Sequence, residues 1–325
     1  MTFPKLFEPN YGPPAPEYII QEPEANVYTA KDPQVCRDKI GLENTADFQS
    51  SYRGRVCYQP IMQVKMKKCT VPDDTYPVPV NVYFPVQEGP HGLMVFYHGG
   101  GWSTNSPDVY DLLTRYLACY GNMVVVSVDY RLAPEVKYAD LREDCFKALA
   151  WAAANAEAFG ADASKLCVCG DSAGGNLTAV MTLMDRDRET HYIMKQIMIF
   201  PCVTFRLDER PKSEEVYGNG GYFISVDSTK WNMSQYLFDD EQDALAPYAS
   251  PLLAQNLKDL PPACFISAEC DPLLDQGLMY AQRLKDAGNP VEYHVYEGML
   301  HGFINRSYGK SFDALNDIIA FANRS

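Results

Sequence analysis

The stretch Gly170-Asp171-Ser172-Ala173-Gly174 follows a short apolar run, Lys165 to Cys169, and leads into Gly175-Asn176-Leu177-Thr178-Ala179-Val180. A Gly-x-Ser-x-Gly turn between a strand and a helix bends so sharply that small flanking residues are required, and the bend pushes the serine hydroxyl out of the sheet edge. Such a turn also occurs as mere packing in α/β proteins, so Ser172 becomes a candidate nucleophile only if a base and an acid accompany it. Of the five histidines, His294 and His91 fall in strand patterns, His191 in a helix-to-strand connection and His98 in a glycine cluster. His301, in Gly298-Met299-Leu300-His301-Gly302-Phe303, alone lies in a loop after the last strand. Asp271 follows a strand ending at Cys270 and precedes Pro272, where it reads equally as a catalytic acid and as a helix cap. Glu269 and Asp275 compete with it. His98-Gly99-Gly100-Gly101-Trp102 follows another strand, and consecutive glycines leave backbone N–H groups uncovered. Together with the N–H of Ala173 they can converge on one developing oxyanion.

These motifs sit on a regular alternation of elements. Strands are expected at Met62–Lys68 and around Pro79–Pro85 as an antiparallel pair. Buried strands follow at Leu93–Tyr97, Met123–Val128, Lys165–Cys169, Gln196–Phe200, Ala263–Ala268 and Val291–Tyr296. Helices are expected from Ser106-Pro107, over Lys137–Phe159, from Ser172 to about Asp185, over Pro272–Ala287 and from Ser311, where Leu315, Ile318, Ile319 and Ala322 make one stripe. That rhythm predicts an α/β fold with a mostly parallel sheet and helices on both faces. Residues 1–59, with partial helix near Asp32–Ile40, and about 203–250 break it. They read as an N-terminal arm and a cap insertion on a catalytic domain spanning 60–325.

With 46% hydrophobic and 22% charged residues, the 325-residue chain has an ordinary globular composition. A net charge of -14 disfavours nucleic acid as a partner. Neither a signal-peptide core nor a membrane-length apolar window is visible, so a reducing cytoplasm is the expected compartment. Cys167 and Cys169, two apart on one strand, read as core thiols rather than metal ligands.

The chain resembles hormone-sensitive-lipase-like carboxylesterases of the α/β-hydrolase superfamily. The resemblance is carried, in that family's order, by His98–Trp102, Asp129-Tyr130-Arg131-Leu132-Ala133-Pro134-Glu135, Gly170–Asn176, Asp271-Pro272-Leu273 and His301-Gly302-Phe303. It implies an eight-stranded sheet, a triad of Ser172, Asp271 and His301, and an oxyanion hole from the N–H groups of Gly100, Gly101 and Ala173. It also implies that the arm and the insertion cap the site, where Trp102, Tyr222 and Phe223 are candidate substrate contacts. The expected activity is hydrolysis of short- to medium-chain neutral esters through an acyl-enzyme, without metal or cofactor. An amide-directed hydrolase (a deacetylase or arylformamidase) would use the same residues, whereas a binding protein on this scaffold would not need His301. Beyond a small ester substrate, the one partner considered is a second copy of the chain in a homodimer.

Overall fold

In the computed structural model, residues 11–13, 58–207, 209–239, 241–306 and 309–324 are described. After a short helix α1 (Tyr58–Met62) come β1 (Lys65–Val71), β2 (Val78–Phe84), β3 (His91–Tyr97), α2 (Asp111–Gly121), β4 (Met123–Val128), α3 (Tyr138–Ala154), β5 (Ala161–Asp171) and α4 (Ala173–Asp187). The chain continues through β6 (Lys195–Ile199), α5 (Lys212–Tyr217), α6 (Val226–Tyr236), β7 (Ala263–Cys270), α7 (Leu274–Asp286), β8 (Val291–Leu300) and α8 (Gly309–Asn323). The strands form one eight-stranded sheet in the order β1-β2-β4-β3-β5-β6-β7-β8. Only β1–β2 and β2–β4 pair antiparallel; β4 to β8 are parallel neighbours.

Continuous apolar runs make these strands, because side chains alternate between two faces and both faces are covered. On β3, Met94 and Phe96 pack with Leu113 and Leu117 of α2 and with Leu315 and Ile318 of α8. Leu93, Val95 and Tyr97 point the other way, against Leu141 and Leu149 of α3 and Leu177 and Val180 of α4. Cys167 and Cys169 share the first of these faces and are buried free thiols.

Several boundaries differ from those expected. Ser106-Pro107 does not cap a helix: Val109 and Tyr110 donate N–H to the carbonyls of Ser106 and Pro107, making tight turns, and α2 starts only at Asp111. The helix expected to run to Phe159 stops at Ala154. There Asn155 leaves helical geometry (φ -104, ψ 6), bonds its side chain back to Trp151, and is followed by one 3₁₀ turn. Strand β8 runs to Leu300, so His301 stands directly on a strand end rather than in a longer loop. The helix expected near Asp32–Ile40 lies outside the described residues.

Under the sheet's carboxyl edge, Arg131 makes two parallel bonds of 2.7 and 2.8 Å to Asp144 of α3, whose side chain is 0% exposed. Ala133, two residues on, donates N–H to the Trp102 carbonyl at 2.9 Å, tying this segment to the end of the glycine loop. Replacing Arg131 by Met should leave the Asp144 charge buried without its partner and cost ~3 kcal/mol. Urea unfolding should show a lower midpoint at unchanged slope. An unmoved midpoint would mean that Asp144 is satisfied without Arg131.

Candidate active site

Four strand ends deliver the candidate side chains to one edge of the sheet, the edge at which open α/β sheets bind ligands. Between β5 and α4, Ser172 adopts φ 55 and ψ -114, a left-handed conformation rare for a residue with a side chain. Its amide is held by the Ile199 carbonyl at 2.8 Å, and its carbonyl accepts from Asn176 and Cys202. Close approach enforces the turn: a side chain on Gly174 would collide with the carbonyl of Tyr97. The hydroxyl consequently projects past the strand end.

His301 Nε2 lies 2.9 Å from Ser172 Oγ, and its Nδ1 lies 2.7 Å from Asp271 Oδ2. The imidazole is 5% exposed and the Asp271 side chain 1%. Phe200 packs on the imidazole at 4.7 Å between ring centroids, and Phe223 stacks over it at 6.5 Å. Asp271 is not the N-cap of α7, which is Leu273, but both of its oxygens are engaged. Its Oδ1 accepts the Leu273 N–H at 2.8 Å at the start of α7, while its Oδ2 faces His301. The competing carboxylates are engaged elsewhere, Glu269 with the Gly298 N–H and Asp275 with Tyr11 and Ser213. His98 is a poor alternative base, because burial pushes its pKa down to about 4 and its Nδ1 bonds the Gly99 carbonyl at 2.9 Å.

The glycine loop turns back over Ser172 with φ of 120 at Gly100 and 59 at Gly101, values that glycine adopts without strain. Among the described residues the N–H groups of Gly100, Gly101 and Ala173 have no acceptor, so they are free to bind an anion. The loop is clamped from behind. Tyr130 donates its hydroxyl to the His98 carbonyl at 2.6 Å, Asn105 bonds the Gly99 carbonyl at 3.1 Å, and the Gly99 N–H reaches Asp171 at 2.8 Å.

Above this edge, α5 and α6, between β6 and β7, approach the loops. Ser225 and Ser228 form a capping box that starts α6, so that Tyr236 stacks on Trp102 at 4.5 Å and Asn232 lies against Gly101. Trp102, 2% exposed, is wedged among Tyr236 and Phe205, and Tyr222 packs edge-on to Tyr217 at 5.0 Å. Phe223 alone of the three candidate substrate contacts reaches the histidine. Asp171, Tyr110, Asn305 and Asn232 were not singled out from the sequence. Asp171 sits inside the Gly170–Gly174 motif, but only the fold brings partners to its carboxylate. One metal-capable cluster exists among the described residues, Cys264, Glu292 and His294, with ligand atoms within 4.8 Å. Its groups are already paired, His294 with Glu292 and Asp317, and Glu292 with Arg324. No helix among them is long and apolar enough to cross a membrane.

Residues 94–305 match the family model of the alpha/beta hydrolase fold. The chain is 37% identical to an arylesterase of Saccharolobus solfataricus over 75% of its length and 78% of the relative's. It is also 37% identical to an ethyl acetate hydrolase of Pseudomonas putida, over 71% of this chain and 73% of that one. Among solved structures it is similar to an esterase of Pyrobaculum calidifontis, with a TM-score of 0.86 and 34% identity over 95% of this chain and 98% of the other.

The crowding behind the glycine loop yields a test. A Cβ on Gly99 would lie 2.6 Å from Asp171 Oδ2, whereas one on Gly92 would make an ordinary 3.5 Å contact with Met123. Gly99→Ala should therefore displace the loop and lower kcat on an activated ester by ~10²-fold, the scale of losing one oxyanion donor. Gly92→Ala should leave the rate unchanged. Equal rates in both variants would mean that the loop position does not matter to turnover.

Proposed function

Because the chain belongs to the α/β hydrolase fold family, as its match over residues 94–305 and its curated relatives show, we propose that it is a serine carboxylesterase acting on short- to medium-chain esters. The observation that carries the proposal is the unbroken relay from Ser172 Oγ through His301 to Asp271, at 2.9 and 2.7 Å.

In this mechanism Ser172 Oγ attacks the ester carbonyl carbon as His301 Nε2 takes the hydroxyl proton. Asp271 Oδ2 accepts the Nδ1–H, fixing the tautomer that leaves Nε2 free and stabilising the imidazolium that forms. The carbonyl oxygen, now an oxyanion, meets the N–H groups of Gly100, Gly101 and Ala173. Collapse of the tetrahedral intermediate expels the alcohol, which takes the proton from His301, and leaves the acyl group on Ser172. Water, deprotonated by the same imidazole, then releases the acid. All three side chains come from one chain, so the reaction requires no second copy in a homodimer.

The arm and the insertion form the cap in this proposal, and Phe223, which stacks over His301, supports a place for the acyl chain beneath it. Ala173, Cys202, Ile224, Tyr236 and Leu273 belong to one buried cluster, with Phe205 and Phe223 packed against it. Arm and insertion also touch each other, the Tyr217 hydroxyl donating to the Gly12 carbonyl at 2.8 Å, while Tyr11 of the arm bonds Asp275 of α7 at 3.0 Å.

Ser172→Ala should lower kcat by ~10⁶-fold with unfolding unchanged. Asp271→Asn should keep the bond to Leu273 through one oxygen but spoil the imidazole tautomer, lowering kcat ~10⁴-fold. If Asp271→Asn instead lowers the melting temperature and spares the rate, holding the turn before α7 is its whole role. For p-nitrophenyl esters, each methylene that fits the pocket should raise kcat/KM ~4-fold, from ~0.8 kcal/mol of transfer energy, up to the pocket wall. Phe223→Ala should move that limit to longer acyl chains. An unaltered limit would take Phe223 out of the pocket.

A further inference from the structure

Asp171 takes no part in the relay from Ser172 to Asp271, yet it is 2% exposed at the meeting point of the segments that must stay in register. Its Oδ1 accepts the Gly99 N–H at 2.8 Å. Its Oδ2 accepts the Tyr110 hydroxyl at 2.8 Å and the Asn305 side-chain amide at 3.3 Å. Gly99 opens the loop that carries Gly100 and Gly101, and Asn305 lies in the 3₁₀ turn that follows His301. Tyr110 closes the network, its hydroxyl lying 3.2 Å from both the Gly99 N–H and the Asn305 amide. We propose that Asp171 is a positioning residue, whose ionised carboxylate fastens the oxyanion loop and the segment after His301 to the nucleophile turn. The proposal rests on the Ser172–His301–Asp271 mechanism and adds to it a second ionisation on which turnover depends.

A carboxylate is otherwise costly here. Among the described residues no ion pair includes Asp171, so the groups bonded to its carboxylate are all neutral donors. The donors explain why it is an aspartate: an ionised carboxylate only accepts, whereas an asparagine or a protonated acid would turn a donor towards another donor. The titratable groups facing it are Tyr110, His301, Tyr130 and Cys169. Burial holds both tyrosines and the thiol neutral. Burial also raises the Asp171 pKa to about 6, against the bonds from Tyr110 and Gly99 and the field of His301. A carboxyl raised in the folded state adds stability at low pH, and that contribution is lost as pH rises through about 6. Asp171 thus opposes folding at neutral pH in the charge state that positions the loop. That sign separates positioning from a merely structural role.

The test is the pH profile of kcat/KM on p-nitrophenyl acetate in the wild type, Asp171→Asn and Tyr110→Phe. With His301 and Asp171 both required unprotonated, the logarithmic acid limb of the wild type should steepen to a slope approaching about two. Asp171→Asn should show a slope of about one and a kcat lowered ~10- to 100-fold with little change in KM. Its melting temperature at neutral pH should not fall in proportion. Tyr110→Phe removes one donor from the carboxylate, so its acid limb should move to higher pH. A wild-type slope of one that persists in Asp171→Asn would overturn the proposal, as would a loss confined to KM or an unmoved limb in Tyr110→Phe. Should Asp171→Asn fail to fold, Tyr110→Phe decides alone. A pre-steady-state burst of p-nitrophenolate, measured in parallel, keeps the two levels apart. A burst in the wild type reports the acyl-enzyme itself, so a burst in all variants with identical pH profiles counts only against Asp171.

Discussion

The backbone strain at Ser172 is the constraint on which the site depends. A residue with φ 55 and ψ -114 is disfavoured unless its surroundings hold it there. The surroundings here are the close contact of Gly174 with the Tyr97 carbonyl, the Ile199 carbonyl on the Ser172 amide, and the start of α4 immediately beyond. Because β3 lies beside β5, the same contact that bends the serine turn brings the glycine loop over it. One packing decision places the hydroxyl and the amides that face it.

Economy of groups runs through the rest. Asp271 divides its two oxygens between the start of α7 and His301, so the element that follows the acid also stiffens it. Asp275 joins α7 to Tyr11 of the arm and Ser213 of the insertion, which couples the two irregular segments to the turn that carries the acid. Asp171 and Asp144 are both buried, but their energetics differ. Asp144 has a bidentate arginine and acts as a structural pair, whereas Asp171 has only neutral donors and stays expensive.

Much of this was legible in the residues. Continuous apolar runs marked the parallel strands, and the order of glycine loop, serine turn, aspartate and histidine marked their carboxyl ends. Boundaries were less legible, because they turn on local competition. Asn155 bonding back to Trp151 ends a helix whose apolar pattern continues, and β8 extends past its apolar run to Leu300. The capping box that starts α6 uses serine at both positions, a weaker sequence signal than serine followed by glutamate. The role of Asp171 was hidden for a different reason. Its partners are 72, 61 and 134 residues away, and no local pattern brings Gly99, Tyr110 and Asn305 to one carboxylate. Fold-level adjacency, not spacing, makes that network.

The most direct measurement is covalent trapping. A fluorophosphonate mimics the tetrahedral intermediate and reacts only with a serine whose base and oxyanion donors are assembled around it. Intact-mass analysis should show one phosphonyl group per chain, and peptide mapping should place it on Ser172, with labelling lost when His301 is replaced by alanine. Label on another serine, or undiminished labelling of Ser172 without His301, would contradict the account.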